Sequence, residues 1–317
     1  MKQKAGVSEL LRAYGTIFAG ILIVIVFSVM RPDAFFTMGN LVNITRQISL
    51  LVIIALGATL VMSVEEFDLS VGALASLGGV IGAKMAVAGA PIFLCFIAPV
   101  VICFAIGFVN GWIVTKFRVL SFITTLAMST ILGGFTFWFT GGATVFQDIP
   151  KSFTYVGTKT VLGAPILSII MLLLTVVFWF VMRHTAFGRK LYAIGGNEAA
   201  SQVSGINVKK YKNLAFALCA SLAALTGVLM ASRLGSAHPT GGDGLFLQSY
   251  AAAFLGRTVF REGAPNIWGT FVGAAILGVL ANGLTILQVP TFMQDLLTGC
   301  IIILAVVVQK IGRGDAK

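Results

Sequence analysis

"VEEFDLSVGAL", residues 64–74, carries the densest polar chemistry in the chain. Glu65, Glu66 and Asp68 are three of only eleven acidic residues, and long apolar runs flank them on both sides. A carboxylate beside lipid is costly, and where one persists it is capped, paired or part of a gate or proton relay. Asp68 and Ser70 are both good N-caps for the Gly-rich helix predicted from "LSVGALASLGGV", and an anion at a helix N-terminus is favourable. A second reading makes 67–72 an irregular junction that faces a pathway, where backbone and carboxylate oxygens meet a polar solute or close a gate. The two readings are compatible. Glu65 and Glu66 are expected to be solvated or to pair with Lys116 or Arg118.

Asn110, Thr124, Thr125, Gln248 and Asn282 are further polar side chains inside apolar runs. Such groups either hydrogen-bond between helices or line a wet path. Catalytic chemistry finds no support. The chain has no GxxxxGK[ST], no nucleophile elbow and no HExxH, and "GTKT" at 157–160 lacks the glycines of a phosphate loop. The chain is therefore read as no enzyme by itself, without a cofactor, and dependent on a partner or an ion gradient for energy. Cys95, Cys103, Cys219 and Cys300 lie in apolar runs without a CxxC pair and read as packing residues. His184 and His238 fall in different loops with no acidic or thiol cluster, so no metal site is expected.

The elements that must position these groups follow from composition. The 317 residues are 58% hydrophobic and only 10% charged. A soluble domain averages about 25% charged residues. The apolar runs are continuous rather than alternating, which excludes a β-barrel. The fold class is an all-α polytopic membrane protein, one membrane domain over 1–317. Ten apolar segments are predicted: 14–30, 44–63, 70–88, 92–115, 120–140, 161–182, 213–233, 246–260, 266–287 and 292–309. The eighth is the weakest, because it is short and holds Gln248 and Arg257. The first reads as an uncleaved signal anchor.

Basic residues favour the cytoplasmic side of a membrane. With ten spans and the N-terminus inside, sixteen of the 22 Lys and Arg residues face the cytoplasm. The net charge of +11 is explained this way, without nucleic acid. Residues 1–13, 183–212 and 310–317 then lie in the cytoplasm. An internal repeat is visible as well: "GFVNGWIV" (107–114) resembles "GVLANGLTI" (278–286), and "ALGATLVMS" (55–63) resembles "ALTGVLMAS" (224–232). Matched spans run in opposite directions, so the halves form an inverted repeat of the kind that builds midplane pathways. Gly107-xxx-Gly111 and Gly269-xxx-Gly273 have the spacing that lets helices approach closely.

Loop 183–212 is the longest polar segment, with six basic residues and one acid. Asn197 is a good N-cap, Glu198 suits a first turn and Gly205 a helix end, so one short helix is expected near 198–204. Ala199 and Val203 share a face. A helix this short is unstable alone. It either docks in a groove on a partner or lies in a basic loop on anionic lipid.

"FDLSVG" after the second span, "GRKLYAIGGNEAASQVSGINVKKYK" after the sixth and "ANGLTIL" in the ninth resemble the ribose-type permease subunits of bacterial ABC sugar importers, over about residues 14–309. The loop pattern is Gly195, Asn197, Ala200, Gly205 and Ile206. The resemblance implies a type II importer-like fold in the bacterial inner membrane, a second permease subunit, an ABC ATPase subunit and a periplasmic sugar-binding protein. It also implies that Gly195, Asn197, Glu198, Ala199, Ala200, Val203 and Gly205 form a coupling helix seated in the ATPase. Two departures stand out. Glu65-Glu66-Phe67 replaces a common Gly-Gly before "DLSVG", and Arg257 in "FLGRTVFREGAPN" stands where glycine is usual. These weaken the transfer of ribose as substrate and leave autoinducer, nucleoside, polyol or branched-chain amino acid open. A secondary transporter with Asp68 as proton carrier and a non-transporting membrane scaffold are the remaining rivals.

Overall fold

The computed structural model describes residues 7–259, 264–294, 296–300 and 303. Thirteen helices and one small hairpin are defined among them. In chain order they are α1 (Val7–Met30), α2 (Pro32–Phe35), α3 (Met38–Met62), α4 (Val71–Val87), α5 (Ile92–Phe117), α6 (Ser121–Thr140), α7 (Lys151–Thr158), β1 (Thr160–Val161), β2 (Ala164–Pro165), α8 (Ile166–His184), α9 (Ala186–Gly196), α10 (Glu198–Val203), α11 (Val208–Leu234), α12 (Asp243–Val259) and α13 (Ile267–Ile286). Six of the described helices, α3, α5, α6, α8, α11 and α13, are long and apolar enough to cross a membrane. α4 and residues 17–30 of α1 are shorter apolar helices, and α12 has 17 residues. Half of the tenth predicted segment, 292–309, lies outside the described residues.

α3 and α11 form the centre, and α11 packs against α3, α4, α5 and α7. Their surfaces are built from small side chains. Ala215, Ala217, Ala220, Ala223, Ala224 and Ala231 of α11 are buried. Lipid offers no hydrophobic gain for helix association, so close van der Waals contact between small residues has to supply it. A Cβ on Gly227 would fall 1.8 Å from the Ala75 carbonyl oxygen, and one on Gly107 would fall 2.5 Å from that of Phe216. Gly269 and Gly273 pack equally tightly against the backbone of α12. Both glycine pairs singled out in the sequence therefore sit at helix crossings. The periphery is the converse: Phe93, Ile97 and Val101 of α5, Phe122 and Ile131 of α6, and Leu172 and Leu173 of α8 are exposed, as lipid-facing side chains are.

Several helices start before their apolar run does. α3 begins at Met38, where Thr37 Oγ1 accepts from the Asn40 N–H at 3.3 Å. α11 begins at Val208, where Asn207 Oδ1 accepts from the Lys210 N–H at 3.1 Å. Hydropathy reports the hydrocarbon-matched part of a helix; the cap fixes its true start. The loop 183–212 also holds more helix than expected: α9 precedes α10. Leu191 and Ile194 of α9 are buried, and Thr185 Oγ1 caps it through the Phe187 N–H at 3.2 Å.

The α4–α11 crossing yields a stability test. Gly227→Ala is expected to destabilise the protein by about 1–3 kcal/mol, read as a lower apparent unfolding temperature in detergent. Gly133→Ala, where a Cβ meets nothing within 4 Å, serves as the unchanged control.

Candidate functional site

Between α3 and α4 the chain leaves helical geometry over residues 63–70. Four consecutive N–H groups there have no helical partner, and each finds a side-chain oxygen. Phe67 donates to Ser121 Oγ at 3.3 Å, Asp68 to Tyr250 Oη at 2.6 Å, Leu69 to Thr125 Oγ1 at 2.9 Å and Ser70 to Asp68 Oδ1 at 2.9 Å. Tyr250 Oη in turn donates to the Asp68 carbonyl at 3.3 Å. The break is thus held by α6 on one side and α12 on the other. In an apolar bundle an unpaired backbone donor would cost several kcal/mol, roughly.

Asp68 is fully buried. Its Oδ1 accepts from Ser70 Oγ at 2.5 Å as well as from the Ser70 N–H. Ser70 Oγ also accepts from Asn110 Nδ2 at 3.1 Å. Ser70 itself makes no side-chain cap on α4, contrary to the sequence expectation, because its hydroxyl is committed to this chain of bonds. Asp68 Oδ2 and Asn110 Oδ1 are buried without a protein partner among the described residues.

The two glutamates do not pair with Lys116 or Arg118. Lys212 Nζ lies 2.6 Å from Glu66 Oε1 and 2.7 Å from Glu198 Oε2, and its side chain is only 9% exposed. One ammonium thus joins the helix break to the first residue of α10. Glu65 lies 3.3 Å from Arg257 Nη2. Glu65 also has φ +56°, a left-handed backbone that favours glycine. The two departures noted in the sequence, acid at 65 and base at 257, therefore meet as one ion pair. Lys116 instead lies over the Trp112 ring, 4.7 Å from its centroid.

α10 is the helix expected near 198–204. Asn197 Oδ1 accepts from the Ala200 N–H at 2.9 Å, and Gly205 ends the segment at φ +81°. Gly195 seats the segment on the break, since a Cβ there would lie 2.3 Å from the Ser63 carbonyl oxygen. Ala199 and Ala200 are exposed, and Val203 is 90% exposed. Beside this segment opens a cleft of about 1070 Å³ whose lining includes Glu65, Arg183, Arg189, Arg257, Trp179 and Trp268.

The polar residues singled out in the sequence separate into distinct places. Asp68, Ser70, Asn110 and Thr125 meet at the helix break. Thr124 does not join them; it is half-buried, and its hydroxyl donates to the Leu120 carbonyl at 3.2 Å, at the start of its own helix. Asn282 sits at the far end of the bundle, where its Nδ2 donates to Asn40 Oδ1 at 2.9 Å. Gln248 lines a separate cavity of about 330 Å³. Tyr250, Ser121 and Lys212 were not singled out. Tyr250 and Ser121 fall in or beside apolar segments as ordinary residues, and Lys212 was one of six cations in its loop. Only the fold brings them to the break.

This geometry defines a class: a multi-pass helical membrane protein built around a sealed helix break, with an exposed short helix tied to it. The chain belongs to the family described as branched-chain amino acid transport system, permease component, which it matches over residues 40–306. It is 40% identical to a ribose import permease protein of Haemophilus influenzae, covering 90% of this chain and 89% of that one. A ribose import permease protein of Bacillus subtilis is 37% identical over 92% of this chain and 91% of its own length. A D-allose transport system permease protein of Escherichia coli is 35% identical, with 94% and 91% covered. No solved structure matches the chain.

The break provides its own test. Asp68→Ala strips Ser70 of its acceptor and is expected to destabilise the protein by about 1–3 kcal/mol, seen as earlier thermal unfolding in detergent. Asp68→Asn keeps an acceptor oxygen and is expected to lose less than half as much.

Proposed function

We propose that the chain is the transmembrane permease subunit of an ATP-driven ABC importer that moves a monosaccharide across the bacterial inner membrane. The similarity to ribose and allose permeases supports a sugar over an amino acid. Among the described residues, the lining of the cavity at Gln248 holds no carboxylate to pair with an amino group. The α9–α10 end faces the cytoplasm, as do both termini, in agreement with the excess of Lys and Arg in loop 183–212. Ten spans form two inverted halves in a type II importer-like arrangement. In support, Asn110 and Asn282, at matching repeat positions, each donate an amide N–H across a helix pair, one at either end of the bundle.

ATP is hydrolysed by a partner ATPase subunit, which receives α10. A periplasmic sugar-binding protein delivers the sugar to the opposite face of a permease pair. The observation that carries this reading is the Lys212 bridge. It gives an exposed helix, with Ala199 and Val203 outward, a direct ionic connection to the break at 65–70. Movement of α10 by the ATPase pulls on Glu66 through Lys212 and shifts the junction of α3 and α4. Asp68, Ser70 and their partners act as the inner gate, opened when that junction moves.

The experiment is reconstitution with the ATPase and the sugar-binding protein, with sugar-stimulated ATP hydrolysis as the readout. Deleting 197–205 is expected to abolish stimulation while the protein still inserts. Full stimulation in the deleted complex would overturn the reading. Lys212→Met leaves Glu66 and Glu198 without their shared cation and is expected to reduce stimulation about tenfold, whereas Lys212→Arg retains most of it.

A further inference from the structure

We propose that Gln47, Gln248, Gln294 and Arg233 form the station that selects the sugar within the transport path, an assignment that rests on the import reading above. They line the cavity of about 330 Å³ together with Thr298 and leucines of α3, α12 and α13. That volume lies at the small end of the roughly 300–1,000 Å³ typical of small-molecule sites. The four side chains come from four separate parts of the chain: α3, α12, the segment after α13, and the last turn of α11. Each is half-buried, neither sealed in the core nor turned out to lipid.

Their chemistry matches a neutral polyhydroxylated solute. An amide offers two N–H donors and a carbonyl acceptor, and a sugar hydroxyl both donates and accepts. The guanidinium adds a fork of donors that suits a pair of neighbouring hydroxyls. No carboxylate lines the cavity among the described residues. The leucines cover the C–H faces of a pyranose or furanose ring. Gln294 spends one donor on the Val289 carbonyl at 3.0 Å and keeps its oxygen. The amides of Gln47 and Gln248 make no hydrogen bond to protein among the described residues. Two uncommitted amides inside an apolar bundle are a cost unless water or solute meets them.

Position agrees with chemistry. Gln47 lies about 22 Å from Met62 along α3, whereas Gln248 lies two residues before Tyr250, the α12 anchor of the break, so the cavity runs from the start of α3 toward the break at Asp68. A sugar entering from the end opposite α10 reaches the cavity before the gate.

The test uses the reconstituted complex in proteoliposomes and measures ribose uptake with allose, xylose and a sugar acid as competitors. Gln47→Leu and Gln248→Leu keep volume and remove hydrogen bonds. Each is expected to weaken ribose uptake about tenfold or more at low concentration and to change the order of the competitors. Thr130→Val, on the exposed face of α6, serves as the unaltered control. The double variant Gln248→Cys, Cys300→Ser is expected to react with a small hydrophilic thiol reagent and to be protected by ribose in the working complex; this readout holds even where a Leu variant folds poorly. Unchanged uptake and competitor order in both Leu variants, or a thiol at position 248 whose labelling is blind to ribose, overturns the assignment while leaving sugar import intact. A sugar acid that outcompetes ribose overturns the neutral-solute class. A wild-type complex that takes up none of these sugars overturns the import reading and this assignment with it.

Discussion

Lipid offers no hydrogen bonds, so a helix that stops inside an apolar bundle must find a partner for every backbone group it releases. The break at 67–70 meets that demand with four side-chain oxygens, two from α6, one from α12 and one from the break itself. The rest of the molecule follows from this requirement. Ser121 and Thr125 fix where α6 begins relative to α3. Tyr250 fixes α12, and through it the pair formed with α13. Asn110 ties α5 to the same point through Ser70. A region that looks like a loop in the chain is therefore the place where most of the bundle is cross-referenced.

Charge adds a second layer to this apolar scaffold. Lys212 serves two carboxylates from different elements, and Arg257 answers Glu65. Buried or half-buried pairs contribute little net stability, because removing the ions from water costs about as much as their attraction returns. Their value lies in specificity of position. A single displaced cation releases two acids, so the arrangement is close to all-or-none. Such a contact suits a component that alternates between two states rather than one that deforms gradually.

Much of the architecture was legible in the sequence. Nine of the apolar runs coincide with described helices, six of them long and apolar enough to cross a membrane, and Asn197 and Gly205 marked both ends of α10. Helix starts were less legible, because Thr37 and Asn207 lie in polar flanks that hydropathy does not score. The pairing of Glu65 and Glu66 was not legible at all. Lys116 and Arg118 are nearer in sequence, but the fold carries Lys212 and Arg257 to the acids from elements 146 and 192 residues away. The candidate path was half legible: Gln248 stood out inside a weak span, whereas Gln47, near the start of segment 44–63, was not among the polar residues singled out.

α11 is the stiff member of the bundle. Its 27 residues, Val208–Leu234, run without a break, with Lys212 near the α10 end and Ser232 and Arg233 at the other, where Ser232 Oγ donates to the Phe153 carbonyl at 2.6 Å and the backbone of α7 presses closely on the helix. At 1.5 Å per residue it is about 40 Å long. At its tightest crossings its neighbours meet it through alanine and glycine, which have no rotamers to absorb a displacement. A tilt imposed at one membrane face must therefore arrive at the other undiminished, as in a rigid lever whose fulcrum is the alanine-lined centre of the bundle.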